Sequence, residues 1–304
     1  MGRVLVSGLI NLETTLRVEG FPVDYCPVRY PFGGVGTSVS GVGYNVAKAL
    51  TVLGDTVHLI SLIGGDPQAD LIRGALARDG IAGDFVLASL AQTAQSVILY
   101  DGEGRRQIHV DLKDIQDQTY PPALFDKALG DVGLAVLCNI NFSRPFLQEV
   151  KRRGIPIATD VHAISDLEDA YNRDFMVAAD VLFMSDAYLP MAPETYARLV
   201  LARYHPEVVV IGLGAQGALL ALREGQTIRH VPAVSTRPVV NTIGAGDALF
   251  SAFVHYYAQG YAPGDALARA MVFASYKIGV VGASEGFLDA VGVDRWYASF
   301  YPTS

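Results

Sequence analysis

The sequence comprises 304 residues, of which 51% are hydrophobic and 18% are charged, with a formal net charge of −8. A chain of this length can bury one large core, or one core plus a small appendage. The acidic balance, with no basic face or tail, argues against a general nucleic-acid binder.

In chain order, the first part of the sequence mixes strands, helices and a β-rich segment. The patterns predict strands over residues 3–10 and 56–63, helices over 44–53 and 69–79, and short strands with turns over 21–40. Residues 95–110 are predicted to form a hairpin with the turn Asp101-Gly102-Glu103-Gly104. The hairpin and the β-rich segment interrupt the order of the other elements, so they predict a small separate sheet.

From residue 134 onward, strands and helices alternate. The predicted strands are 134–138, 155–159, 181–184 and 208–211, and the predicted helices are 146–153, 193–204, 245–259 and 266–278. This alternation predicts a three-layer α/β fold, in which helices cover both faces of a mostly parallel sheet. We expect one α/β domain over residues 1–304, with a small β-sheet lid from about 12–40 and 95–110.

Signals for membranes, secretion and disulfides are weak. No apolar run approaches the roughly 18 residues that a membrane span needs. The N-terminal segment lacks the regions of a signal peptide. Cys26 and Cys138 are far apart and belong to no motif, which is typical of reduced thiols in an intracellular protein. We therefore expect a cytoplasmic protein with no membrane partner.

The most informative motif is Gly244-Ala245-Gly246-Asp247, which opens an apolar helix. Glycines let a backbone approach a ligand closely, and the first N–H groups of a helix have no intrahelical partner. Together they suit a phosphoryl group during transfer. Asp247 would then accept the proton of an attacking hydroxyl. On spacing alone, a helix-capping Asp after a glycine turn explains these residues equally well.

Other catalytic motifs are absent or incomplete. Residues 212–217 match the dinucleotide pattern GxGxxG, but a hairpin is predicted after them where that pattern requires a helix. The sequence contains no Walker A motif and no protein-kinase motifs. The six histidines are scattered without paired metal-ligand spacing, so the sequence indicates no metal ligands.

The sequence resembles the ribokinase-like (PfkB-type) family of sugar and nucleoside kinases. Residues 241–249 are similar to the C-terminal signature of that family, D-T-x-G-A-G-D-x-F. Ser40-Gly41-Val42-Gly43-Tyr44-Asn45 is similar to its N-terminal signature, with Leu53-Gly54 closing the helix. The resemblance implies an α/β core with a β-sheet lid, and ATP-dependent phosphorylation of a hydroxyl group of a sugar or nucleoside.

The resemblance also implies roles for individual residues. Asp247 would be the catalytic base, and the backbone of Gly244, Ala245 and Gly246 would form the anion hole. The implied substrate-binding residues are Asn11, Glu13, Gly41, Asn45 and Arg106. The implied nucleotide-binding residues are Ser185, Gly212, Gly214, Gly217, Asn241 and Thr242. ATP would be bound with Mg²⁺, and some family members bind a monovalent cation near the second signature.

The main departures from the family pattern are three residues and one short segment. Ser40 stands where the family usually has Gly, and Glu13 stands where it has Asp. Asn241 replaces an Asp, which puts a cation site there in doubt. The N-x-x-E motif that the family uses for Mg²⁺ and phosphate is replaced by residues 185–188, Ser-Asp-Ala-Tyr.

Alternative functions stay open at this point. Features of residues 33–45 fit a nucleoside or pseudouridine kinase, in which Tyr25, Tyr30 or Phe32 would stack on a base. The altered segment 185–188 fits a non-catalytic, sugar-binding relic of the family. A dinucleotide oxidoreductase is disfavoured by the hairpin after residue 217. The exposed lid sheet favours a homodimer that pairs through its edge.

Overall fold

The computed structural model describes residues 2–302. Its strands are β1 (Arg3–Ser7), β2 (Asn11–Arg17), β3 (Val35–Ser40), β4 (Thr56–Gly64), β5 (Val86–Leu90), β6 (Gln95–Tyr100), β7 (Arg106–Asp111), β8 (Leu134–Leu137), β9 (Ile157–Ala163), β10 (Val181–Ser185), β11 (Val208–Gly212), β12 (Ala218–Leu222) and β13 (Ile228–Val231). Its helices are α1 (Val42–Leu53), α2 (Pro67–Arg78), α3 (Pro122–Leu129), α4 (Leu147–Arg152), α5 (Arg173–Ala178), α6 (Pro193–Tyr204), α7 (Ala245–Ala258), α8 (Pro263–Lys277) and α9 (Ala290–Phe300).

A large sheet with the strand order β13-β12-β11-β10-β9-β8-β1-β4-β5 forms the centre of the molecule. Its pairs are parallel except β11–β12 and β12–β13, which are antiparallel. The two faces of β1 are both buried, since Val4 packs in one core cluster and Leu5 in the other. Helices α1, α2, α7, α8 and α9 cover the first face, and α3, α4, α5 and α6 cover the second. The predicted three-layer α/β fold is therefore confirmed.

A small four-stranded sheet with the order β3-β2-β6-β7 lies beside the large one. Strand β2 pairs antiparallel with β3 and parallel with β6, and β6 pairs antiparallel with β7 in the predicted hairpin. Its segments therefore come from residues 11–40 and 95–111. A buried cluster of Ile98, Ile243 and Ala283 joins this sheet to the start of α7.

Several predicted boundaries differ from the structure. The strand predicted over 3–10 ends at Ser7, and the chain re-enters a strand at Asn11 in the other sheet. The segment 21–40 contains a strand only over Val35–Ser40. The elements β5, α3, α5 and α9 were not predicted, because their apolar runs are short. Among residues 2–302, no helix is long and apolar enough to cross a membrane.

The hairpin predicted after the GxGxxG match is confirmed. Strands β12 and β13 pair antiparallel from Ala218 with Val231 to Ala221 with Ile228, and only a short 3₁₀ turn over Gly214–Gln216 separates β11 from β12. No helix N-terminus follows this motif, so the arrangement of a dinucleotide pyrophosphate site is absent here.

Candidate active site

Asp247 lies in the first turn of α7 and contacts α1. The Nδ2 of Asn45 donates a hydrogen bond to Oδ2 of Asp247 at 2.7 Å. Asn45 belongs to the first turn of α1, and both helices pack on the same face of the large sheet. The two sequence signatures, 202 residues apart at this contact, therefore meet in space.

The start of α7 presents unused backbone donors. Ala245 N donates to the carbonyl of Thr242 at 3.2 Å, which forms a turn. Within the described part of the chain, the N–H groups of Gly244, Gly246 and Asp247 donate to no other residue. Free N–H groups at the N-terminus of a 14-residue helix suit an anion such as a transferring phosphoryl group.

Gly244 is required by its conformation and by its neighbour. Its φ is +74°, in the left-handed region. A Cβ at this position would lie 2.4 Å from the carbonyl oxygen of Ala283. The close approach of the loop around Ala283 therefore depends on the absence of a side chain at Gly244.

Charged groups converge near Asp247. Its side chain is partly exposed. Burial raises the pKa of the Asp247 carboxyl, and the hydrogen bond from Asn45 opposes that effect. The nearby cations of His162 and Lys277 also favour its ionised form, whereas Asp160 opposes it. A base with a pKa above that of an ordinary Asp is better matched to a hydroxyl proton.

A cluster of buried polar side chains, here called the polar wall, lies near the Asp247 carboxylate and consists of Asn11, Glu13, Ser40 and Ser96. Ser40 Oγ donates to Oε2 of Glu13 at 3.0 Å, and Asn11 Nδ2 donates to Ser96 Oγ at 3.1 Å. Glu13 Oε1 and Asn11 Oδ1 are buried without a hydrogen-bond partner among the described residues. Burial raises the pKa of Glu13, with Ser40 opposing it. Unpaired buried acceptors of this kind are expected where a ligand supplies the donors.

Gly41 fixes the geometry at the start of α1. Its φ is +101°, and a Cβ there would lie 2.5 Å from the carbonyl oxygen of Leu9. That carbonyl accepts hydrogen bonds from Gly43 N at 3.0 Å and Tyr44 N at 3.3 Å. The helix start is thereby held against the link between β1 and β2, which places Asn45 near the polar wall.

Arg106 connects the small sheet to the anion-hole segment. Its Nη1 lies 2.8 Å from Thr242 Oγ1 and 3.2 Å from the Thr242 carbonyl oxygen. Thr242, which was predicted to bind nucleotide, lies three residues before the start of α7. Asn241 lies beside it, and its Oδ1 accepts a hydrogen bond from Ile243 N at 2.6 Å.

The remaining residues predicted to bind nucleotide form a second group. Ser185 and Gly212 are paired at the ends of β10 and β11. Gly217 N donates to the Gly214 carbonyl at 3.1 Å, which closes the turn after β11. No hydrogen bond between described residues links this group to Asp247. It does lie at the carboxyl edge of the parallel strands, where α/β proteins bind ligands.

A Mg²⁺ ion bound with a nucleotide fits this edge. Among residues 2–302, no group of three or more His, Cys, Asp or Glu side chains is placed to hold a metal ion. Mg²⁺ in phosphotransfer sites commonly uses one or two carboxylates plus substrate phosphates. Asp186 is suitable, since it follows Ser185 directly and its N–H donates to the Gly212 carbonyl at 3.1 Å.

A monovalent cation beside the second signature does not fit the residues present. Asn241 offers a neutral amide in place of a carboxylate. The carbonyl of Ile243 already accepts a hydrogen bond from the ammonium group of Lys277. A second cation at this carbonyl would meet an existing positive charge.

Sequence reasoning missed three residues of the site. Lys277 ends α8, where a lysine is usually interpreted as a favourable charge at a helix C-terminus. Ser96 lies on the hairpin strand β6, and nothing in its sequence context indicates a role. His162 is one of the six scattered histidines that indicated no metal site; it adopts φ +59° and lies near enough to lower the pKa of Asp247.

The fold, with a carboxylate beside free backbone donors at the start of α7, is typical of a small-molecule kinase. Residues 1–290 match the pfkB family of carbohydrate kinases. The chain belongs to this family, as the two signatures indicated.

Similar proteins include kinases of different small molecules. The acarbose 7(IV)-phosphotransferase of Actinoplanes sp. is 26% identical over 296 residues, covering 96% of this chain and 97% of the relative. The solved structure of the microbiome-derived acarbose kinase Mak1 is 25% identical with a TM-score of 0.87, covering 98% of this chain and 99% of that one. The nucleoside kinase of Burkholderia thailandensis, in complex with inosine, has a TM-score of 0.80 at 18% identity, covering 99% of each chain. The family match makes the chain a small-molecule kinase.

Proposed function

We propose that the protein transfers the γ-phosphoryl group of ATP to a hydroxyl group of a neutral sugar, with Asp247 as the general base. The observation that carries this proposal is the position of Asp247. Its carboxylate is held by Asn45 at 2.7 Å, directly beside the free N–H groups that open α7. Base and anion donors thus lie within one helical turn.

The reaction follows from these positions. The acceptor hydroxyl loses its proton to Asp247 as its oxygen forms a bond to the γ-phosphorus. The bond from that phosphorus to the bridging oxygen breaks, and ADP leaves with the electron pair. The N–H groups of Gly244 and Gly246 stabilise the negative charge on the transferring group. ATP supplies the phosphoryl group as a complex with Mg²⁺, for which residues 185–186 and the glycines 212, 214 and 217 form the site.

The polar wall supports a neutral polyol as the acceptor. The wall and the neighbouring Asn45 offer carboxylate, amide and hydroxyl groups, which pair with sugar hydroxyls as donors or acceptors. The side chains concerned are those of Asn11, Glu13, Ser40 and Asn45. A sugar phosphate would bring negative charge toward Glu13 and Asp247. Arg106, the cation on the small sheet, is already bonded to Thr242. The acarbose-phosphorylating relatives support a sugar larger than a monosaccharide as one class to test.

The test is ADP release with a panel of acceptors, including ribose, fructose, maltose, acarbose and inosine. We expect a neutral sugar to be phosphorylated. We also expect Asp247→Asn to lower kcat at least about 10³-fold, because a general base contributes 10²–10⁴-fold and charge at the site contributes further. Asp265→Asn is the matched control, since Asp265 also lies in a first helical turn and is exposed. Equal rates for Asp247→Asn and Asp265→Asn would refute the assignment.

A nucleoside is the second candidate acceptor. Tyr25, Tyr30 and Phe32 are 91%, 75% and 94% exposed in the long link between β2 and β3. Exposed aromatic side chains suit stacking on a base. Higher kcat/KM for inosine than for any sugar in the panel would favour this candidate. No ADP release with any acceptor would favour the non-catalytic relic.

The lid role and the dimer are further parts of this proposal. The contacts of Arg106 and Ile98 with residues 242–243 support a lid that covers the acceptor.

Strand β7 is an edge strand, exposed along its length, with Ile108 and Val110 each 49% exposed. Pairing of two such edges would bury these side chains. Light scattering gives the molar mass of the protein and of an Ile108→Lys variant. A monomeric mass for both proteins would refute the dimer.

A further inference from the structure

Lys277 is a buried lysine next to the catalytic motif. It is the last residue of α8, its exposure is 0%, and its Nζ donates to the carbonyl oxygen of Ile243. It forms no ion pair in the part of the chain that the structure describes. Taking an ammonium group out of water is costly. A core-filling role alone would be served better by an apolar side chain of similar length.

The charges around Lys277 keep it protonated. Burial lowers the pKa of Lys277 to about 8, while Asp247, Glu13 and Glu285 oppose that effect and Arg106 adds to it. Its amine therefore stays mostly protonated at neutral pH. The two carboxylates that oppose the burial most are the base and the acid of the polar wall. A fixed positive charge thus faces the region where ATP, acceptor and base would meet.

The contact with Ile243 also constrains the anion hole. A trans peptide is planar, so the carbonyl of Ile243 and the N–H of Gly244 point in opposite directions. When Lys277 holds the carbonyl, the N–H of Gly244 points away from Lys277. The same segment is tied to the end of α8, since Val240 N and Asn241 N donate to the Ile278 carbonyl at 2.9 and 3.1 Å. Lys277 is therefore a positioning residue for the first donor of the anion hole.

We propose that the ammonium group of Lys277 takes the place of a bound monovalent cation at the Ile243 carbonyl, so that turnover requires no K⁺ or other added monovalent ion. It orients the Gly244 N–H and supplies positive charge beside the transferring group. This inference rests on the proposed kinase function, but its binding test below does not depend on activity.

The first experiment compares wild type with Lys277→Met in KCl and in tetramethylammonium chloride at equal ionic strength. Wild-type kcat is expected to agree within about twofold in the two salts. Lys277→Met should lower kcat about 100-fold with sugar KM changed less than threefold, because losing or misaligning an anion-hole donor costs 10²–10³-fold. Lys127→Met is the matched control, a lysine in the last turn of α3 that is exposed, and should match wild type.

The second experiment is rescue. Lys277→Ala leaves room for a hydrated or bare ion at the Ile243 carbonyl. We expect K⁺ to raise its kcat at least about tenfold over tetramethylammonium, since a bound cation would restore the same charge near the anion hole. Thermal unfolding is measured on both variants, because a purely structural role for Lys277 would lower Tm without lowering kcat. Lower Tm with unchanged kcat would overturn the positioning role.

The third experiment measures the binding of a monovalent cation in the absence of turnover. Crystals of wild type and Lys277→Ala are soaked in thallium(I) acetate, and anomalous density is compared. Density beside the Ile243 carbonyl in Lys277→Ala alone supports the inference. Density there in wild type, or wild-type turnover that needs K⁺, would overturn it. Failure of the proposed function is distinguishable, since it would appear as no ADP release from wild type in either salt.

Discussion

Asn45 and Asp247 join the first turns of α1 and α7 through a hydrogen bond of 2.7 Å. This contact does two things for the candidate base. It stabilises the ionised carboxylate against the effect of burial, and it fixes the direction of the carboxyl group. Because Asn45 also lies 3.4 Å from Ser40 through its Oδ1, the base is linked to the polar wall by one side chain.

Replacement of Asn45 by Ala is expected to change the pH profile of kcat/KM. A protonated Asp247 cannot accept a proton, so activity falls as pH is lowered through its pKa. Loss of the Asn45 amide raises that pKa further, and the acid limb should move to higher pH. At the pH of maximum activity the loss should be about tenfold, the effect of one hydrogen bond to a charged group. An unshifted acid limb would show that Asn45 does not control the ionisation of the base.

The stability of the protein should respond to pH through Asp247 and Glu13. Burial raises the pKa of both carboxyls in the folded state. Such a group favours folding most below its unfolded-state pKa, and this contribution is lost as pH rises through the folded-state pKa. The Tm of Asp247→Asn and of Glu13→Gln, relative to wild type, should therefore increase as pH rises above the ordinary carboxyl pKa of about 4. A Tm difference that stays flat with pH would contradict this assignment.

Ser40 and Glu13 are expected to act as a pair. Both depart from the family pattern, and in the structure Ser40 donates to Glu13 at 3.0 Å. Ser40→Gly and Glu13→Asp should each raise sugar KM about tenfold, the value of about 1.4 kcal/mol for a hydrogen bond to a charged group. The double variant should lose less than the product of the two effects, because each change breaks the same contact. Independent, multiplicative effects in a double-mutant cycle would show that the two departures are unrelated.

The layered fold could be predicted from the sequence, but the assignment of strands to the two sheets could not. Residues 3–17 form one nearly continuous β-rich run, yet β1 and β2 belong to different sheets. The reversal depends on Gly8 to Ile10 packing against the start of α1, which is a tertiary contact. Long amphipathic helices such as α6 were predicted at their correct ends, because their periodicity and their boundary residues agree.

The residues of the candidate site were likewise predictable only where their role is local in the sequence. Signature residues such as Asn45 and Asp247 were identified because each stands in a local motif with a physical role. Lys277 was not, because its burial depends on how α8 meets the loop before α7. Ser96 was missed for the same reason, since its partner Asn11 lies 85 residues away. A residue whose role depends on its neighbours in the sequence can be identified from a local motif. A residue whose role depends on contacts with distant parts of the chain cannot.

Gly244 and Gly246 differ in what each contributes, and alanine at each position should separate stability from activity. Gly244→Ala places a Cβ 2.4 Å from the Ala283 carbonyl oxygen on a residue with φ +74°. The left-handed conformation alone costs about 1–2 kcal/mol, so with the clash we expect at least about 2 kcal/mol of lost stability and a lower Tm.

Gly246→Ala is the matched variant two residues later, in the first turn of α7. A Cβ there meets no atom within 4 Å, and the residue lies inside the helix, where Ala is favoured over Gly by about 0.5–1 kcal/mol. Its Tm should equal or exceed that of wild type. The added methyl group would stand where the phosphoryl group approaches the N–H donors, so kcat should fall about 100-fold, as for loss of an anion-hole donor. Thermal unfolding and steady-state kinetics on both variants test this, and a Gly246→Ala enzyme with wild-type kcat would place the transferred group elsewhere.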